Sequence, residues 1–497
     1  MSSVPDVQNL IDGSLTEARA SQIADVFNPS TGDVIARVPL CASADVTAAV
    51  DAAENALPSW SRTPIVDRAR LMFRYRELLE RSFDELSRLI TKENGKTIAE
   101  ARAELRRGIE VVEFACGIPG LFAGQSLADI AADVDADVSR HPVGVCVGIT
   151  PYNFPAMVPM WMFPIALVCG NTFVLKPSEK VPLSAVRLGE LLLEADCPRG
   201  VFNVLHGGRE CVDALIAEPR VAAISFVGST QVARSIYERG TAAGKRVQAA
   251  GGAKNVCVVM PDADQELAAK ALAAASFGCG GQRCMATSLA IPVGTAADDV
   301  VRQLSQHAES LTVGATDEAQ DVDLGPLIRR EHVERVASYV ETASSEGAVV
   351  ALDGRRSFPG GGFFLGPSVV DHVSPEMSVA RDEIFGPLLS VVRARTLDDA
   401  LRLGRMSPFG NGASIFTRDG YAARQFREHC NAGMIGINVG VPAPMAWFPF
   451  TGWNGSFFGD LHVQGMEGIQ FYTRQKVTLT RWLRPSGDSH HDPVWKS

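Results

Sequence analysis

Residues 142–175 read PVGVCVGITPYNFPAMVPMWMFPIALVCGNTFVL and contain no charged side chain. The stretch is long enough to span a bilayer, but five prolines and two asparagines interrupt it, which disfavours a membrane helix. We predict instead a buried strand over 143–149, a buried helix near 157–168 and a second strand over 172–175. Near-continuous apolar strands are typical of a parallel sheet that is covered on both faces.

Strands and helices alternate on the carboxyl-terminal side of this stretch. Strands are predicted at 202–205, 223–227 and 247–248, and helices at 183–194, near Val212 and at 230–239, where Gly240 would end the last helix. Repeated strand–helix–strand units predict a doubly wound parallel sheet. A second alternating block over 256–438 predicts another α/β unit.

The amino-terminal side shows a different pattern. The first 40 residues predict short strands with turns at 12–13 and 31–32, and helices follow over 44–57, 65–92 and 98–115. Segments near 123–140 and 468–483 resemble strands that fit neither sheet, so we expect an extension used in oligomerisation. Residues 484–497 are polar and predict a frayed tail.

Composition places the chain among ordinary globular proteins. A length of 497 residues predicts two or three domains, with 46% hydrophobic and 21% charged residues. The 57 acidic and 47 basic residues give a net charge of −10, which offers no basis for binding nucleic acid or a membrane surface. The ten cysteines include no C-x-x-C pair, which argues against zinc and predicts reduced thiols in the cytoplasm. No export signal is apparent before residue 22.

Cys284 follows the polar, glycine-rich run Gly280-Gly281-Gln282-Arg283. An inert buried thiol is the usual state of a cysteine, but this flexible approach predicts a nucleophile, whose thiolate Arg283 would favour. Cys279 lies in a more apolar setting and is the weaker candidate for the same role.

Two further polar residues stand in unusual settings. Asn153 is a lone amide in the apolar stretch, and a buried amide needs hydrogen-bond partners. It either braces its own loop or donates to an oxyanion together with the backbone N–H of Cys284. Glu383 leads the sharp apolar turn 383–387, where it is either a solvated element end or a contact for a nicotinamide ribose.

Features suited to a dinucleotide follow two of the predicted strands. Lys176 and Glu179 come directly after 172–175, at the strand end where cofactors bind in such sheets. They either form a polar loop or contact an adenosine ribose, and a carboxylate there would favour NAD over NADP. Gly228 and Ser229 begin a helix whose free N–H groups would suit a pyrophosphate, although a capped helix is the plainer explanation. No G-x-G-x-x-G motif occurs.

Arg107 lies in a charged stretch of the helix predicted at 98–115, where most arginines are surface residues. The functional alternative pairs it with Arg283 as a clamp on a substrate carboxylate.

Together these residues resemble the aldehyde dehydrogenase superfamily, and specifically its CoA-acylating methylmalonate-semialdehyde dehydrogenase branch. The resemblance runs from about residue 5 to about Trp482. Each motif alone is weak, but their order and spacing are specific. The segments that carry the resemblance are 149–155, 171–179, 252–255, 281–286, 383–387 and 471–473.

The resemblance implies an α/β fold with a Rossmann-type cofactor domain, a catalytic domain and a small β extension. The implied cofactor domain covers 1–122 and 142–250, and the catalytic domain covers 251–440. Oligomerisation strands are implied over 123–141 and 465–484, followed by a tail over 485–497. A homotetramer built as a dimer of dimers is implied as well.

The resemblance also implies roles for individual residues. Cys284 would be the nucleophile and Asn153 the oxyanion donor, while Arg107 and Arg283 would bind a substrate carboxylate. Contacts to NAD are implied for Thr150, Pro151, Phe154, Lys176, Glu179, Gly228, Ser229, Glu383 and Phe385. Ala233 stands where many members have a second glycine in the phosphate turn.

Ala250, in the glycine turn 248–255, bears on how the reaction would end. Hydrolytic members have a glutamate here, the base that activates water, whereas the branch has a non-acidic residue. A thiol of pKa ~8.5 is partly ionised at neutral pH, but water, with pKa ~15.7, needs a base or a metal. We therefore expect a cavity without a water-activating carboxylate. The implied reaction oxidises methylmalonate or malonate semialdehyde with loss of CO₂ and passes the acyl group to coenzyme A, giving propionyl-CoA or acetyl-CoA.

Two alternatives stay open at this point. One is a hydrolytic semialdehyde dehydrogenase that finds its base elsewhere, and the other is a catalytically silent scaffold. The sequence also leaves open the coenzyme A pocket, the pathway (valine or inositol breakdown) and the wall of the substrate pocket, for which Phe154, Trp161 and Phe448 are candidates.

Overall fold

The computed structural model describes residues 4–20, 22–316 and 321–483. The frayed tail predicted for 484–497 lies outside the described residues. Within these ranges the chain forms two large, mainly parallel sheets, a separate three-stranded sheet and the helices that connect their strands. This architecture confirms the predicted α/β class.

Short strands and then helices precede the apolar stretch, as predicted. These elements are β1 (Asn9–Ile11), β2 (Ser14–Thr16), β3 (Ile23–Phe27), β4 (Val34–Pro39), α1 (Ser43–Arg62), α2 (Ile65–Arg81), α3 (Phe83–Asn94) and α4 (Ile98–Leu121). The prediction of one helix over 65–92 is wrong, because the chain leaves helical geometry at Ser82 (φ −94°, ψ 14°).

The middle of the chain alternates strands and helices. These elements are β5 (Gln125–Ala131), β6 (Val134–Pro142), β7 (Val145–Ile149), α5 (Met157–Val168), β8 (Thr172–Lys176), α6 (Leu183–Glu194), β9 (Phe202–Val204), α7 (Arg209–Ala217), β10 (Val221–Val227), α8 (Thr230–Ala242) and β11 (Arg246–Ala250).

The second alternating block begins at Asn255. Its elements, and those that follow to the end of the described residues, are β12 (Asn255–Val259), α9 (Gln265–Phe277), a single 3-10 turn (Gly278–Gly281), β13 (Thr287–Pro292), α10 (Ala296–Glu309), α11 (Arg330–Ser345), β14 (Val349–Leu352), β15 (Ser368–Asp371), α12 (Ser378–Arg381), β16 (Leu388–Val391), α13 (Leu397–Arg405), β17 (Phe409–Gly410), β18 (Gly412–Phe416), α14 (Gly420–His429), β19 (Met434–Ile437), β20 (Trp453–Asn454), β21 (Phe457–Phe458), α15 (Gly465–Phe471) and β22 (Thr473–Arg481).

The first sheet has the strand order β2-β1-β9-β8-β7-β10-β11-β21. Its five central strands run parallel. Every residue of β7, α5 and β8 is buried, which confirms that the uncharged stretch forms a strand, a helix and a strand of the interior. The carboxyl ends of the central strands bring the loops after β7, β8 and β10 to one edge of the sheet.

The last strand of this sheet comes from far along the chain. β21 pairs antiparallel with β11, where Ala250 lies opposite Phe457. The same segment holds the glycine turn, since the N–H of Gly251 donates to the Ser456 carbonyl at 2.8 Å and Oγ of Ser456 donates to the Gly252 carbonyl at 2.7 Å.

The second sheet has the order β14-β15-β16-β13-β12-β18-β19 and is parallel except for β14. The third sheet is antiparallel, with the order β22-β6-β5, and it joins neither large sheet, as predicted. Residues 465–471 were expected to belong to strands, but they form α15. This helix buries Ile469 and packs on α5, where a Cβ at Gly468 would lie 3.1 Å from Cδ1 of Ile165.

Helix α8 continues past Gly240, so the prediction that this glycine ends the helix is wrong. A Cβ at Gly240 would lie 2.6 Å from Cγ2 of Val247 on β11. The glycine therefore permits close packing of helix on strand rather than a helix end. Ala233 is fully buried in the same helix.

All ten cysteines are unpaired, as expected for reduced thiols. Among the described residues, no helix has both the length and the apolar character needed to cross a bilayer.

Candidate active site

Cys284 lies in the loop between the 3-10 turn and β13. Gly281, in that turn, has φ +68°, and a Cβ there would lie 2.2 Å from the carbonyl oxygen of Gly386. Only glycine fits this approach, so the glycines before Cys284 bring its loop against the turn that follows Glu383.

Two asparagine amides hold the peptide group of Cys284. Nδ2 of Asn255 and Nδ2 of Asn411 donate to the Cys284 carbonyl oxygen at 2.8 and 2.9 Å. Oδ1 of Asn255 in turn accepts the N–H of Gly412 at 2.9 Å. These bonds fix the backbone that carries the thiol, which is the pre-organisation that a nucleophile needs. Sequence reasoning gave Asn255 no role and missed Asn411, which stands in an unremarkable Gly-Asn-Gly turn.

The Cys284 side chain lines a small cavity together with Arg283, Glu383 and Phe385. Four of the predicted site residues are therefore brought together. Burial, and after it the Glu383 carboxylate, raise the pKa of Cys284 to about 12, whereas Arg283 acts in the opposite direction. Arg283 thus favours the thiolate as predicted, but burial outweighs it.

Among the described residues that line this cavity, Glu383 is the one with a carboxylate. Its Oε1 accepts the N–H of Ala253 at 2.8 Å, and its Oε2 lies 2.2 Å from where a Cβ would stand on Gly252. Burial raises the pKa of Glu383. Ala250 contributes no carboxylate, and Glu383 is bonded to the Ala253 N–H, so the expectation of a cavity without a water-activating carboxylate stays a prediction. If water were to hydrolyse an acyl group on Cys284, Glu383 would be the candidate base that activates it.

Asn153 reaches the loop of the nucleophile. Its side chain is buried, and its Nδ2 donates to the carbonyl oxygen of Gln282 at 3.0 Å. A side-chain amide has two N–H donors, so one of them remains for an oxyanion formed at Cys284. The two roles considered from the sequence, a structural bond and an oxyanion donor, are compatible.

The loop of Asn153 is held by two residues that the sequence analysis did not single out. Nζ of Lys96 donates to the Asn153 carbonyl at 2.8 Å. Oε1 of Glu104 accepts the N–H groups of Ala156 and Met157 at 2.9 and 3.1 Å. Both residues stand among other charged residues in the sequence, a pattern that predicts solvent exposure, so no sequence signal separates them from surface residues.

The loops after β7 and β8 meet at the carboxyl edge of the first sheet. The N–H of Thr150 donates to the Lys176 carbonyl at 3.1 Å, and Nζ of Lys176 lies 3.6 Å from Oε2 of Glu179. The Lys176 side chain is buried, whereas that of Glu179 is 34% exposed. Pro151 is partly buried in the same loop, and the Phe154 ring lies 4.1 Å from Nζ of Lys96. The structure thus joins Thr150, Lys176 and Glu179 but turns Phe154 toward Lys96.

The predicted phosphate turn lies beside the glycine turn. The N–H of Gly228 donates to the Ala250 carbonyl at 3.1 Å. Ser229 is the N-cap residue of α8, but its side chain makes no capping bond. Oγ1 of Thr230 accepts the N–H of Gly252 at 2.8 Å. Neither hydroxyl caps α8, contrary to the simpler interpretation of this segment, and Ser229 is exposed.

Arg107 is held at a different place from Arg283. One of its Nη atoms donates to the Pro444 carbonyl, the other lies 3.3 Å from Sδ of Met445, and its Nε lies 3.6 Å from Oε2 of Glu110. Among the described residues, the lining of the Cys284 cavity includes Arg283 and not Arg107. The structure therefore does not show the two arginines as one clamp.

Arg283 is anchored by the end of α9. Its Nη2 donates to the carbonyl oxygens of Ala274 and Ala275 at 2.6 and 2.8 Å. Its Nε is buried and has no hydrogen-bond partner within the described part of the chain. A buried donor without a partner is costly, and a ligand carboxylate would satisfy it.

The three candidate pocket walls have different environments, and the first of them, Phe154, faces Lys96. Trp161 is buried, with its ring centroid 4.8 Å from that of Phe450, so it belongs to the core around α5. Phe448 is 66% exposed. Trp161 is therefore a core residue and Phe448 a surface residue, but these environments do not identify a wall of the substrate pocket.

Comparison with known proteins gives one family. The sequence model of the aldehyde dehydrogenase family matches residues 15–478. The chain is 49% identical over 481 residues to malonate-semialdehyde dehydrogenase 1 of Geobacillus thermodenitrificans (strain NG80-2), a match that covers 96% of this chain and 99% of the relative.

Solved structures agree with the sequence match. A putative methylmalonate-semialdehyde dehydrogenase from Sinorhizobium meliloti 1021, complexed with NAD, superposes with a TM-score of 0.96 at 42% identity, covering 98% of this chain and 100% of the other. Methylmalonate-semialdehyde dehydrogenase from Oceanimonas doudoroffii gives a TM-score of 0.95 at 46% identity, with coverage of 97% and 99%.

Proposed function

This chain belongs to the aldehyde dehydrogenase family, and on that premise we propose that it oxidises malonate or methylmalonate semialdehyde with NAD⁺ and transfers the acyl group to coenzyme A. The substrates are those for which its relatives are named. The observation that carries the chemistry is the small cavity lined by the partly buried Cys284, with the Asn153 amide bonded to the same loop. Ala250 supports transfer to a thiol rather than to water.

The reaction begins at the thiolate of Cys284, which attacks the aldehyde carbon and forms an S–C bond and an oxyanion. The free N–H of Asn153 and the backbone N–H of Cys284 stabilise that oxyanion, and one such donor contributes about 10²–10³ in rate. Bound NAD⁺ supplies the hydride acceptor, and loss of the hydride leaves an acyl thioester on Cys284.

The acyl thioester carries a carboxylate β to its carbonyl carbon. The C–C bond to this carboxylate breaks and releases CO₂, and the electron pair forms an enolate whose oxygen stays at the Asn153 amide. The enolate carbon takes up a proton. The thiolate of coenzyme A then attacks the thioester carbonyl, giving acetyl-CoA or propionyl-CoA and releasing Cys284.

Residues at the carboxyl edge of the first sheet suit NAD. Glu179 is partly exposed beside Lys176, so its carboxylate is available for a ribose 2′-hydroxyl and would repel a 2′-phosphate. The exposed hydroxyl of Ser229, next to Gly228, and the start of α8 suit a pyrophosphate. NAD would make its other contacts at its nicotinamide end and in the cleft between the two large sheets. We assign these contacts to Thr150, Pro151, Phe154, Glu383 and Phe385.

Arg283 and Arg107 are the proposed partners of the substrate carboxylate. Arg283 lines the Cys284 cavity and has a buried Nε without a partner among the described residues. Arg107 lies against Pro444 and Met445 and is not among the described residues that line the cavity, so it would meet the carboxylate from outside that lining.

Dependence on coenzyme A tests the proposal. With malonate semialdehyde and NAD⁺ alone, we expect a burst of about one NADH per active site, because water attacks the thioester poorly without a base. Adding coenzyme A should give steady NADH formation, with acetyl-CoA identified by mass spectrometry. Equal steady turnover with and without coenzyme A, with a free acid (acetate or malonate) as product, would contradict the proposal.

Ala250→Glu is the matched variant for this experiment. It restores a carboxylate at the position where hydrolytic members have one, so we expect steady turnover without coenzyme A and release of a free acid. A burst that is unchanged in this variant would show that Ala250 does not determine the acceptor.

Hydrolysis is the second candidate, and the position of Glu383 in the Cys284 cavity favours it. In that case Glu383→Gln abolishes the steady turnover seen without coenzyme A while leaving the burst. If Glu383 only contacts the nicotinamide ribose, the same variant raises KM for NAD⁺ and leaves the identity of the product unchanged.

The third sheet supports the assembly into a homotetramer, a dimer of dimers. Leu127 of β5, Ala136 of β6 and Leu479 of β22 lie side by side across the three strands, and both leucines are more than half exposed. An exposed apolar row on a projecting sheet is typical of a subunit contact. With its ten unpaired thiols, the proposed assembly is a cytoplasmic enzyme.

A further inference from the structure

Lys96 and Glu104 form an ion pair in the interior, with side chains that are 1% and 0% exposed. Lys96 follows the end of α3, and Glu104 lies in the second turn of α4. Taking two charges out of water costs more than their attraction usually returns, so apolar residues of similar size are often at least as stable. The pair therefore requires an explanation other than stability.

Within the described part of the chain, the other side-chain hydrogen bonds of the pair go to the loop of Asn153 and the start of α5 that follows it. Nζ of Lys96 donates to the Asn153 carbonyl at 2.8 Å, and Oε1 of Glu104 accepts the N–H groups of Ala156 and Met157 at 2.9 and 3.1 Å. These two N–H groups belong to the start of α5, whose N-cap residue, Ala156, has no capping side chain. Glu104 thus caps α5 from another helix, while Lys96 holds the peptide of Asn153 itself.

Two neighbouring residues extend this contact. Nδ2 of Asn94 donates to the Tyr152 carbonyl at 2.9 Å, on the amino-terminal side of Asn153. Oε1 of Glu100, one turn before Glu104 on α4, accepts the N–H of Cys279 in the turn that leads to the nucleophile. The residues around the start of α4 therefore contact both the loop of Asn153 and the turn that precedes Cys284. The reaction depends on the relative position of these two segments.

Close packing keeps α4 in this position. A Cβ at Gly108 would lie 3.3 Å from Cα of Met157 and 2.2 Å from Cε of Met160, so this glycine allows α4 to approach the first turn of α5. Glu104 lies one turn before Gly108 on α4, where a carboxylate reaches the N–H groups of α5 without bridging water.

We propose that Lys96 and Glu104 are positioning residues for Asn153. They fix its backbone, so that one N–H of its amide is held by the Gln282 carbonyl and the other is directed at the oxyanion on Cys284. The proposal rests on the proposed function only in that Asn153 is the oxyanion donor. Misplacing such a donor by about 1 Å costs on the order of 10²-fold in rate.

A double-mutant cycle with Asn153→Ala tests this coupling. Lys96→Met combined with Glu104→Gln removes both charges at once, so no unpaired ion is left in the interior, and the new amide oxygen still accepts the N–H groups of α5. The measured quantity is the rate constant of the NADH burst, for malonate semialdehyde and for propanal.

We expect the pair variant to lower the burst rate constant by about 10- to 100-fold for both aldehydes, with burst amplitude and KM for NAD⁺ unchanged. Asn153→Ala should lower it by about 10²–10³-fold, and the combined variant should lie within about threefold of Asn153→Ala. A wild-type rate constant in the folded pair variant, or losses that multiply in the combined variant, overturns the proposal.

The control is Lys245→Met, which removes another buried lysine bonded to backbone carbonyls, those of Glu218 and Val221 at 2.6 and 2.9 Å. It should lower Tm without changing the burst rate constant, as a purely structural role predicts. If the pair variant does not fold, Glu104→Gln alone should show a smaller decrease of the same kind, and an unchanged rate constant in it would overturn the proposal. If the enzyme gives an NADH burst with propanal but none with malonate semialdehyde, the proposed substrate is wrong, but the positioning role of Lys96 and Glu104 still stands.

Discussion

Cys284 is held mainly as a thiol by its surroundings. Burial raises its pKa to about 12, the nearby Glu383 carboxylate acts in the same direction, and the opposite effect of Arg283 is smaller. Since the thiolate is the nucleophile, the protein without ligands should be slow to react at neutral pH. The same raised pKa should slow alkylation and oxidation of the thiol.

The pH dependence of alkylation checks this pKa. Below its pKa, the thiolate fraction of a thiol rises about tenfold per pH unit, so the rate of Cys284 carboxamidomethylation should still be rising at pH 10 in the cofactor-free protein. The measurement is the rate of labelling of the Cys284 peptide by iodoacetamide, followed by mass spectrometry. A plateau near pH 8.5, as for an exposed cysteine, would contradict the effect of burial.

Arg107→Ala tests the contact with the substrate carboxylate. Hydrogen bonds to charged groups contribute about 1.5–3 kcal/mol, so KM for malonate semialdehyde should rise about 10- to 100-fold while KM for propanal stays the same. Arg106→Ala is the matched control, because Arg106 is paired with Glu80 on the surface. An equal rise in KM for both aldehydes would show that Arg107 holds the loop of Pro444 and does not bind the substrate carboxylate.

The sequence was sufficient to identify site residues whose side chains are unusual for the segment in which they stand. It was not sufficient to identify residues whose role depends only on where the fold places them. Cys284, Glu383 and Asn153 stand out because polar or reactive groups interrupt apolar or glycine-rich segments. Lys96 and Glu104 do not, because charged residues near helix ends are ordinary. Their burial arises only when α4 packs against the loop of Asn153.

At the scale of elements, the local sequence pattern was sufficient to predict helix bounds where burial is uniform or recurs with the helical period. The helices Met157–Val168 and Leu183–Glu194 have the bounds predicted for them. Prediction was wrong where a tertiary contact decides, as at Gly240, whose missing side chain accommodates Val247. It was also wrong at 465–471, where a helix forms against α5.

Gly240→Ala should therefore destabilise the protein although alanine favours helices. Its Cβ would meet Val247, and such overpacking costs about 1–3 kcal/mol. Gly117→Ala is the control, because Gly117 lies exposed in α4 with no atom within 4 Å of the added Cβ. There we expect a gain of about 0.5–1 kcal/mol. Thermal unfolding measures both, and a higher Tm for Gly240→Ala would contradict the packing role.

At the scale of the whole molecule, the third sheet has two unlike faces. Leu479 lies in the apolar row with Ala136 and Leu127, whereas Thr478 points to the other face beside Asp137. Neither face is covered by the rest of the described chain, since both Leu479 and Thr478 are exposed. The sequence pattern located this sheet but contained no direct sign of the proposed oligomer.

Leu479→Lys should reduce the size of the assembly, because a charge in a subunit contact opposes burial. Thr478→Lys, on the same strand and the opposite face, should leave the assembly unchanged. Size-exclusion chromatography with light scattering measures the mass of each variant. An unchanged mass for Leu479→Lys would remove this face from the proposed interface.

The pairing of β21 with β11 has a consequence for biosynthesis. The chain emerges from the ribosome amino terminus first, so Cys284, the second sheet and every strand of the first sheet except β21 are synthesised before Ser456 and Phe457 are available. Until then, the glycine turn at Gly251 lacks its partners and β11 remains an open edge. The nucleophile thus leaves the exit tunnel before the strand that holds the glycine turn beside it, so the active site takes its final form only after β21 has been made.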